Sequence, residues 1–327
     1  MRAVCVIGLG LIGGSVLRAA TAAGRPGWAA TASEQDATAA RAEGHAVEDS
    51  VPAALRRAES EDALVVVATP LTAVREVLRQ VAWHSPAAWL TDVVSVKDPV
   101  HDEVRRLLPE ARYAGGHPMA GVASSGWTAS TAEMFSGASW AVTLEEDTRS
   151  EAWREAAALA LDCGARVVPT SAAEHDAATA RISHLPHVLA AVLAAVGADG
   201  GPLAMSLAAG SFRDATRVMG SDPELVRAMT EGNREALLDA ADDALGRLGA
   251  ARGSLASTGS LKSTVDAGHA ARGMLEELRG ASRERTTVPL DSRHTLRRLR
   301  ELGDRGGRVV ELTADSAVAE VPASEAG

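Results

Sequence analysis

The sequence predicts an α/β fold, a Rossmann-type doubly wound parallel sheet followed by an all-α helical half. Three observations carry this reading. Short apolar runs alternate with Ala-rich helical stretches from Arg2 to about Thr170, a glycine-rich turn joins the first run to the first helical stretch, and strand-like runs nearly vanish after Thr170. The apolar runs are Ala3 to Ile7, Trp28 to Ala32, Leu64 to Ala68, Trp89 to Val93, Ser139 to Thr143 and Arg166 to Val168, six strands expected in one sheet. Beyond them, Ala172 to Val196, Leu203 to Met219 and Pro223 to Leu248 have helical periodicity. The third of these has a legible start, with Ser221 or Asp222 to cap it, Pro223 in the first turn and Glu224 at the positive end of the dipole. Gly253 to Ser263 reads as a Ser/Gly-rich loop, followed by a helix around His269 to Arg279 and a basic stretch from Arg293 to Arg308. The expected domains are 1–170 for the sheet, 171–285 for the helices and 286–327 for a C-terminal tail too short to be a further module.

Composition narrows the function classes. With 327 residues, 46% hydrophobic and 23% charged, the chain has enough apolar material for a globular core, which excludes wholesale disorder. Aromatics are only 3%, so Ala, Val and Leu are expected to build most of that core. The net charge is −10 and the 33 Lys and Arg are dispersed among 43 acids, leaving no basic stripe for nucleic acid. Arg, Glu or Gly interrupts each apolar run before it reaches the roughly 18 to 20 residues of a membrane span, so no membrane partner is expected. Met1 to Ala20 superficially suits a secretory signal, but its glycines read better as a strand and turn. Cys5 and Cys163 are too few for a disulfide framework, and a cytoplasmic location is the expectation.

The glycine-rich turn carries the first chemistry. Gly8-Leu9-Gly10-Leu11-Ile12-Gly13 is G-x-G-x-x-G between a strand and a helix. Gly8 permits the tight turn, Gly10 lets a pyrophosphate approach the backbone, Gly13 allows close packing of helix on strand, and the helix start at Leu11 and Ile12 offers unpaired N–H donors to the anion. A dinucleotide, NAD or NADP, is therefore the expected cofactor. Thr69 and Pro70 end a later strand at the same edge of the sheet, with a plain turn as the competing reading. Thr31 and Ser33 stand where an acid would grip the ribose 2′-hydroxyl, with Glu34 just beyond, so the choice of coenzyme stays open.

Further candidates follow along the chain. His117 lies in Gly115-Gly116-His117-Pro118-Met119-Ala120-Gly121, read as an exposed rigid loop, and suits general-base work, with a structural hydrogen-bonding group as the competing reading. Asp92-Val93-Val94-Ser95-Val96-Lys97 brings a hydroxyl and one of two lysines to a strand end, and Lys97 reads as a salt-bridge partner rather than a catalytic group. Ser183-His184-Leu185-Pro186-His187 puts a proline inside a helix, which kinks it, and histidines at such a kink often line a pocket, with satisfied core histidines as the competing reading. No third ligand follows those histidines at a recognisable spacing, so no metal is expected. Arg213 and Arg217, four apart, share a helix face and suit a dicarboxylate, with pairing to Asp214 or Asp222 as the competing reading.

In order along residues 3 to 250, these motifs resemble the prephenate and arogenate dehydrogenases of tyrosine biosynthesis, closest to their compact actinobacterial-type members. The resemblance implies a small-molecule substrate and oxidative decarboxylation of a cyclohexadienol, by an enzyme that dimerises through its helical domain. It further implies that His117 accepts the hydroxyl proton and Ser95 hydrogen-bonds that hydroxyl. Arg217 holds a substrate carboxylate, Arg213 and His187 line the pocket, and Asp176 supports it from the start of the kinked helix. Two departures touch the pocket: Val122-Ala123-Ser124 stands where many members have Thr-Glu-Lys, and Val226 where many have tryptophan. The nearest rival, a two-domain 3-hydroxyacid dehydrogenase, uses a base such as lysine in its helical half, and no lysine lies between Lys97 and Lys262. A non-catalytic dinucleotide-binding protein would have no need of Ser95, His117 and Arg217 together. A dehydrogenase acting on a 4-amino analogue of prephenate is compatible with the same motifs.

Overall fold

The computed structural model describes residues 1–121, 124–290 and 294–323. Val122, Ala123 and Arg293, named above, lie outside the described residues. The first eleven elements are β1 (Val4–Ile7), α1 (Leu11–Ala22), β2 (Gly27–Ala30), α2 (Glu34–Ala42), β3 (Ala46–Val47), α3 (Val51–Ser60), β4 (Leu64–Val67), α4 (Leu71–His84), β5 (Trp89–Asp92), α5 (Asp98–Leu107) and β6 (Arg112–Tyr113). Their strands are all parallel in the order β3-β2-β1-β4-β5-β6, the Rossmann arrangement, which puts a crevice at the carboxyl ends of β1 and β4. Both faces are covered, so the strands read as continuous apolar runs. Val4, Val6, Leu64 and Val66 pack into one core cluster, and Cys5, Ile7, Val65 and Val67 into the other, the period of two that a strand imposes.

The runs at 139–143 and 166–168 leave this sheet, which corrects the expectation of six strands in one. β7 (Gly116–Pro118), β8 (Ser139–Thr143), α6 (Ser150–Asp162) and β9 (Arg166–Thr170) belong to a second, mixed sheet. Gly116 marks the crossing, since a Cβ there would lie 2.6 Å from the Asp92 carbonyl oxygen. Aromatics count for more than their number suggested: Trp28, Trp127, Trp140 and Trp153 are the largest fully buried side chains. Both cysteines are buried free thiols, and burial pushes Cys163 up to about 12.

The chain then turns helical, through α7 (Ala172–Thr179), a π-turn at Ala180–His184, α8 (Leu185–Asp199), α9 (Gly201–Ser206), α10 (Gly210–Thr216), α11 (Pro223–Gly232), α12 (Arg234–Thr258) and α13 (Lys262–Gly280). Asp222 caps α11 as expected, its Oδ1 accepting from Glu224 N at 2.8 Å. The expected kink before Pro186 is the π-turn, where the missing proline N–H breaks the helical ladder. The expected loop at Gly253 to Ser263 is instead mostly helix. Ser257 and Thr258 return their hydroxyls to the carbonyls of Gly253 and Ser254, and only at Gly259, with φ +69°, does the chain break.

From Ala172 to Asp199 the helical run is long and apolar enough to cross a membrane by length and composition alone, which the interrupted sequence pattern did not show. Its first half carries the buried His175 and Asp176, groups that are costly in hydrocarbon. Its second half leaves Leu189, Val192, Leu193 and Val196 exposed, and α12 leaves Leu238, Leu245, Leu248 and Leu255 exposed.

The segment read as a tail folds in its described part, a second correction. β10 (Arg283–Pro289), α14 (Thr295–Asp304), β11 (Arg308–Leu312) and β12 (Ser316–Pro322) extend the second sheet to β10-β12-β11-β9-β8-β7. Leu299, Leu302 and Val309 join Trp140 and Trp153 in the same core cluster, so apolar burial, hidden in a stretch dominated by arginine, decides its place. A Cβ on Gly303 would come within 1.8 Å of the Pro169 carbonyl oxygen. Gly303→Ala is therefore expected to cost about 1–3 kcal/mol and lower the melting temperature by several degrees. An unchanged melting curve would mean that α14 does not dock on β9.

Candidate active site

At the carboxyl edge of β1 the glycine turn is held by contact on every side but one. Gly8 has φ +108°, and a Cβ on it would lie 2.5 Å from the Ala68 carbonyl oxygen; one on Gly13 would lie 2.0 Å from the Gly8 oxygen. Around Gly10 there is open space. α1 starts at Leu11 without a side-chain cap, and its first intrahelical bond is Gly14 N–H to the Gly10 carbonyl. The N–H groups of Leu11, Ile12 and Gly13 thus have no acceptor among the described residues, and the open space at Gly10 leaves room for an anion beside them. Thr69, beside Gly8, has a buried hydroxyl with no partner among the described residues, and Pro70 caps α4. These donors fit the pyrophosphate and adjoining groups of a dinucleotide. Thr31 and Ser33 are partly spent on local structure. Thr31 Oγ1 accepts from Ser33 N, and Ser33 Oγ caps α2 by accepting from Asp36 N, with Glu34 exposed in its first turn.

Asp92, Lys97, His117, His175 and Asp176 form a connected network at the end of β5. The Asp176 carboxylate accepts from Lys97 N at 2.8 Å, from Asp98 N at 2.9 Å and from His175 Nδ1 at 2.7 Å. His175 Nε2 lies 2.8 Å from His117 Nδ1. Hydrogen-bond logic then assigns both rings. A carboxylate only accepts, so His175 carries its proton on Nδ1; its Nε2 accepts, so His117 carries its proton on Nδ1 and keeps a lone pair on Nε2. Burial holds the His117 imidazole well below its ordinary pKa, and His175, Lys97 and His184 act in the same direction. The ring is neutral at pH 7, as a proton acceptor must be.

Lys97 fixes the strand that carries His117. Its ammonium is fully buried, paired with Asp92, and donates to the Gly116 carbonyl at 2.6 Å. Burial lowers the lysine pKa and the Asp92 charge opposes that shift. Asp92 also accepts from Tyr113 OH at 2.7 Å and Val94 N at 2.8 Å, so both members of the buried pair have further hydrogen-bond partners. The salt-bridge reading of Lys97 holds.

A third histidine, His184, is joined to this network through Asn233. Asn233 Nδ2 donates to the Asp176 carbonyl at 2.7 Å and reaches His184 Nδ1 at 3.0 Å, so His184 carries its proton on Nε2. That N–H is buried without a partner among the described residues, an arrangement that costs about 1–3 kcal/mol unless a ligand oxygen accepts it. Burial pushes His184 down to about 4.

A family model described as the prephenate dehydrogenase nucleotide-binding domain matches residues 18–169, and one described as the prephenate dehydrogenase dimerization domain matches residues 171–259. A Corynebacterium glutamicum protein provisionally assigned as a prephenate dehydrogenase has a solved structure with 42% identity and a TM-score of 0.87, covering 94% of this chain and 98% of that one. The chain belongs to the prephenate dehydrogenase family. Among curated members, the prephenate dehydrogenase of Bacillus subtilis is 34% identical over 73% of this chain and 66% of its own length, just under two thirds of that protein. The cyclohexadienyl dehydrogenase of Zymomonas mobilis is 32% identical over 78% of this chain and 88% of its own.

Measured against the sequence expectations for a prephenate dehydrogenase family member, His117 stands on the short strand β7 with its ring turned inward, not on an exposed loop. Ser95, half-buried between β5 and α5, makes no side-chain hydrogen bond among the described residues. Asp176 is used up in holding His175 and two backbone N–H groups, so it positions other groups rather than lining a pocket. His187 donates from Nδ1 to the Ser183 carbonyl at 2.8 Å. Arg213 lies in the last turn of α10, whereas Arg217 begins a 3-10 turn, so the four-residue spacing does not place them on one α-helical face. Both are exposed, and neither forms an ion pair among the described residues. His175 escaped sequence reading altogether. Its one signal was a His-Asp pair opening a helix behind the Ser171–Glu174 capping box.

Gly10→Val has room to fold, so its melting temperature is expected to match the parent while coenzyme affinity falls about a hundredfold or more; retained binding in a titration would dismiss the cradle. His184 binds its proton more weakly in the folded chain than in the unfolded one. The unfolded chain therefore takes up more protons between about pH 4 and 6.5, and stability falls as pH falls through that window. The cost attributable to His184 is on the order of 1–2 kcal/mol between pH 7 and pH 5. Urea unfolding of His184→Asn should show a smaller loss over the same interval, and an equal loss would rule this source out.

Proposed function

We propose that the chain oxidatively decarboxylates prephenate or arogenate with NAD or NADP, releasing carbon dioxide and 4-hydroxyphenylpyruvate or tyrosine. The observation that carries this reading is the bare Nε2 of a neutral, half-buried His117, tied through Lys97 and Asp92 to the sheet whose glycine turn fits a dinucleotide. When bound, the coenzyme supplies the hydride acceptor. His117 Nε2 takes the proton of the ring hydroxyl, and Ser95 hydrogen-bonds the same oxygen and orients the C–H. Hydride leaves the carbinol carbon, the ring carboxylate leaves as carbon dioxide, the electron pair of the broken C–C bond completes the aromatic ring, and the phenolate oxygen so formed takes the proton back from His117. Arg217 holds a substrate carboxylate, Arg213 and His187 line the pocket, and the His184 N–H supplies one further donor.

In this reading the catalytic unit is a homodimer. The exposed leucines of α8 and α12 lie in the segment matched by the dimerization model, and a second copy would cover them. A reaction of this class fits a cytoplasmic enzyme.

The test crosses prephenate and arogenate with NAD and NADP, following reduced nicotinamide and carbon dioxide together. Equimolar release of both in any combination supports the proposal, and silence in all four overturns it. His117→Ala is expected to lower kcat about a hundredfold or more with coenzyme affinity intact. Because the folded ring is held well below 6.5, kcat/KM of the parent should stay level as pH falls through 6.5 and drop only lower. A fall centred at 6.5 would contradict the assignment. Arg217→Ala is expected to raise the substrate KM at least about tenfold, and a smaller change would move carboxylate binding elsewhere.

A further inference from the structure

A second cleft, of about 370 Å³, opens between α5 and the turn that joins β8 to α6. That volume lies at the lower end of small-molecule pockets, about 300–1,000 Å³, and holds one ring with a short polar arm. Its lining combines an apolar part, Val104, Leu108 and the Tyr113 ring, with a charged part, Arg105, Arg149 and Asp147. Arg105 is paired with Asp147 at 3.2 Å, whereas Arg149 has no ion pair among the described residues. One uncommitted guanidinium beside an aromatic and aliphatic wall matches a carboxylate carried on a flat ring.

Both walls of this cleft are hydrogen-bonded to the reaction centre. Tyr113 donates to Asp92, Asp92 pairs with Lys97, and Lys97 donates to the carbonyl of Gly116, the residue before His117. On the other wall, the turn that carries Asp147 and Arg149 begins at Glu145, whose Oε1 accepts from Ala172 N at 2.6 Å. Ala172 opens α7, the helix that carries His175 and Asp176.

We propose that this cleft is a ligand site for a small ring-bearing carboxylate and that its occupancy is transmitted to His117 along these two routes. The ligand acts only as far as it favours one arrangement of the walls over another. The binding half is independent of the reaction proposed above; its bearing on catalysis rests on that reading.

The test uses 4-fluorobenzoate and fluorine NMR on the full chain with coenzyme present and substrate absent, so the outcome does not depend on turnover. Saturable binding is expected, weakened about tenfold or more in Arg149→Ala and retained in Arg217→Ala. Arg149→Ala should leave activity without the ligand unchanged. Binding that is absent, or that is lost in Arg217→Ala and kept in Arg149→Ala, overturns the site, the latter because the probe then occupies the substrate pocket. The ring resonances of His117, identified by their loss in His117→Gln, should move with the same saturation curve. If the probe binds and they stay still, the transmission is wrong.

Discussion

The buried carboxylate of Asp176 accepts from the backbone N–H groups of Lys97 and Asp98 in the sheet half and from His175 beside it in the helical half. Its own carbonyl receives Asn233 from the end of α11. Removing one partner from a buried charged network of this kind costs about 3–5 kcal/mol, comparable with a large share of a domain's net stability. The junction between the halves and the state of the reaction centre therefore depend on the same group. A side chain that only accepts fixes His175, and His175 fixes His117.

The fold serves that arrangement from both sides. Parallel strands bring the glycine turn, Thr69 and Asp92 to one edge, where a coenzyme and a substrate can meet. The second sheet then places His117 on β7, locked by the Lys97–Asp92 pair through Gly116. The C-terminal strands complete this second sheet, and Arg300 of α14 pairs with Glu174 in the capping box of α7 at 2.8 Å. That ion pair is exposed enough to contribute little by itself; the buried Leu299 and Leu302 do more to hold the module in place. The helical half, by contrast, buries few of its leucines within one chain.

Much of this was legible in the sequence because it rests on local pattern. The glycine turn, the strands β1, β2, β4 and β5, the cap at Asp222 and the kink before Pro186 each follow from a few adjacent residues. What was missed depends on distant partners. The strands at 139–143 and 166–170 look like the others, and only the crossing at Gly116 sends them to a second sheet. The C-terminal module hides Leu299, Leu302 and Val309 among arginines, and the helical course of Gly253 to Thr258 depends on hydroxyls that bond back into the helix. Within the site, His117 and Ser95 announce themselves by motif, whereas the role of His175 is visible only once residues 58 positions apart stand 2.8 Å from each other.

The tautomer of His117 decides whether this site can take a proton from its substrate, and imidazole nitrogen NMR reads it directly. At pH 7 the parent is expected to show His117 protonated on Nδ1 and bare on Nε2, with that preference weakened in Asp176→Asn. A proton on Nε2 in the parent would contradict the assigned role, since the atom that is to accept the substrate proton would already hold one.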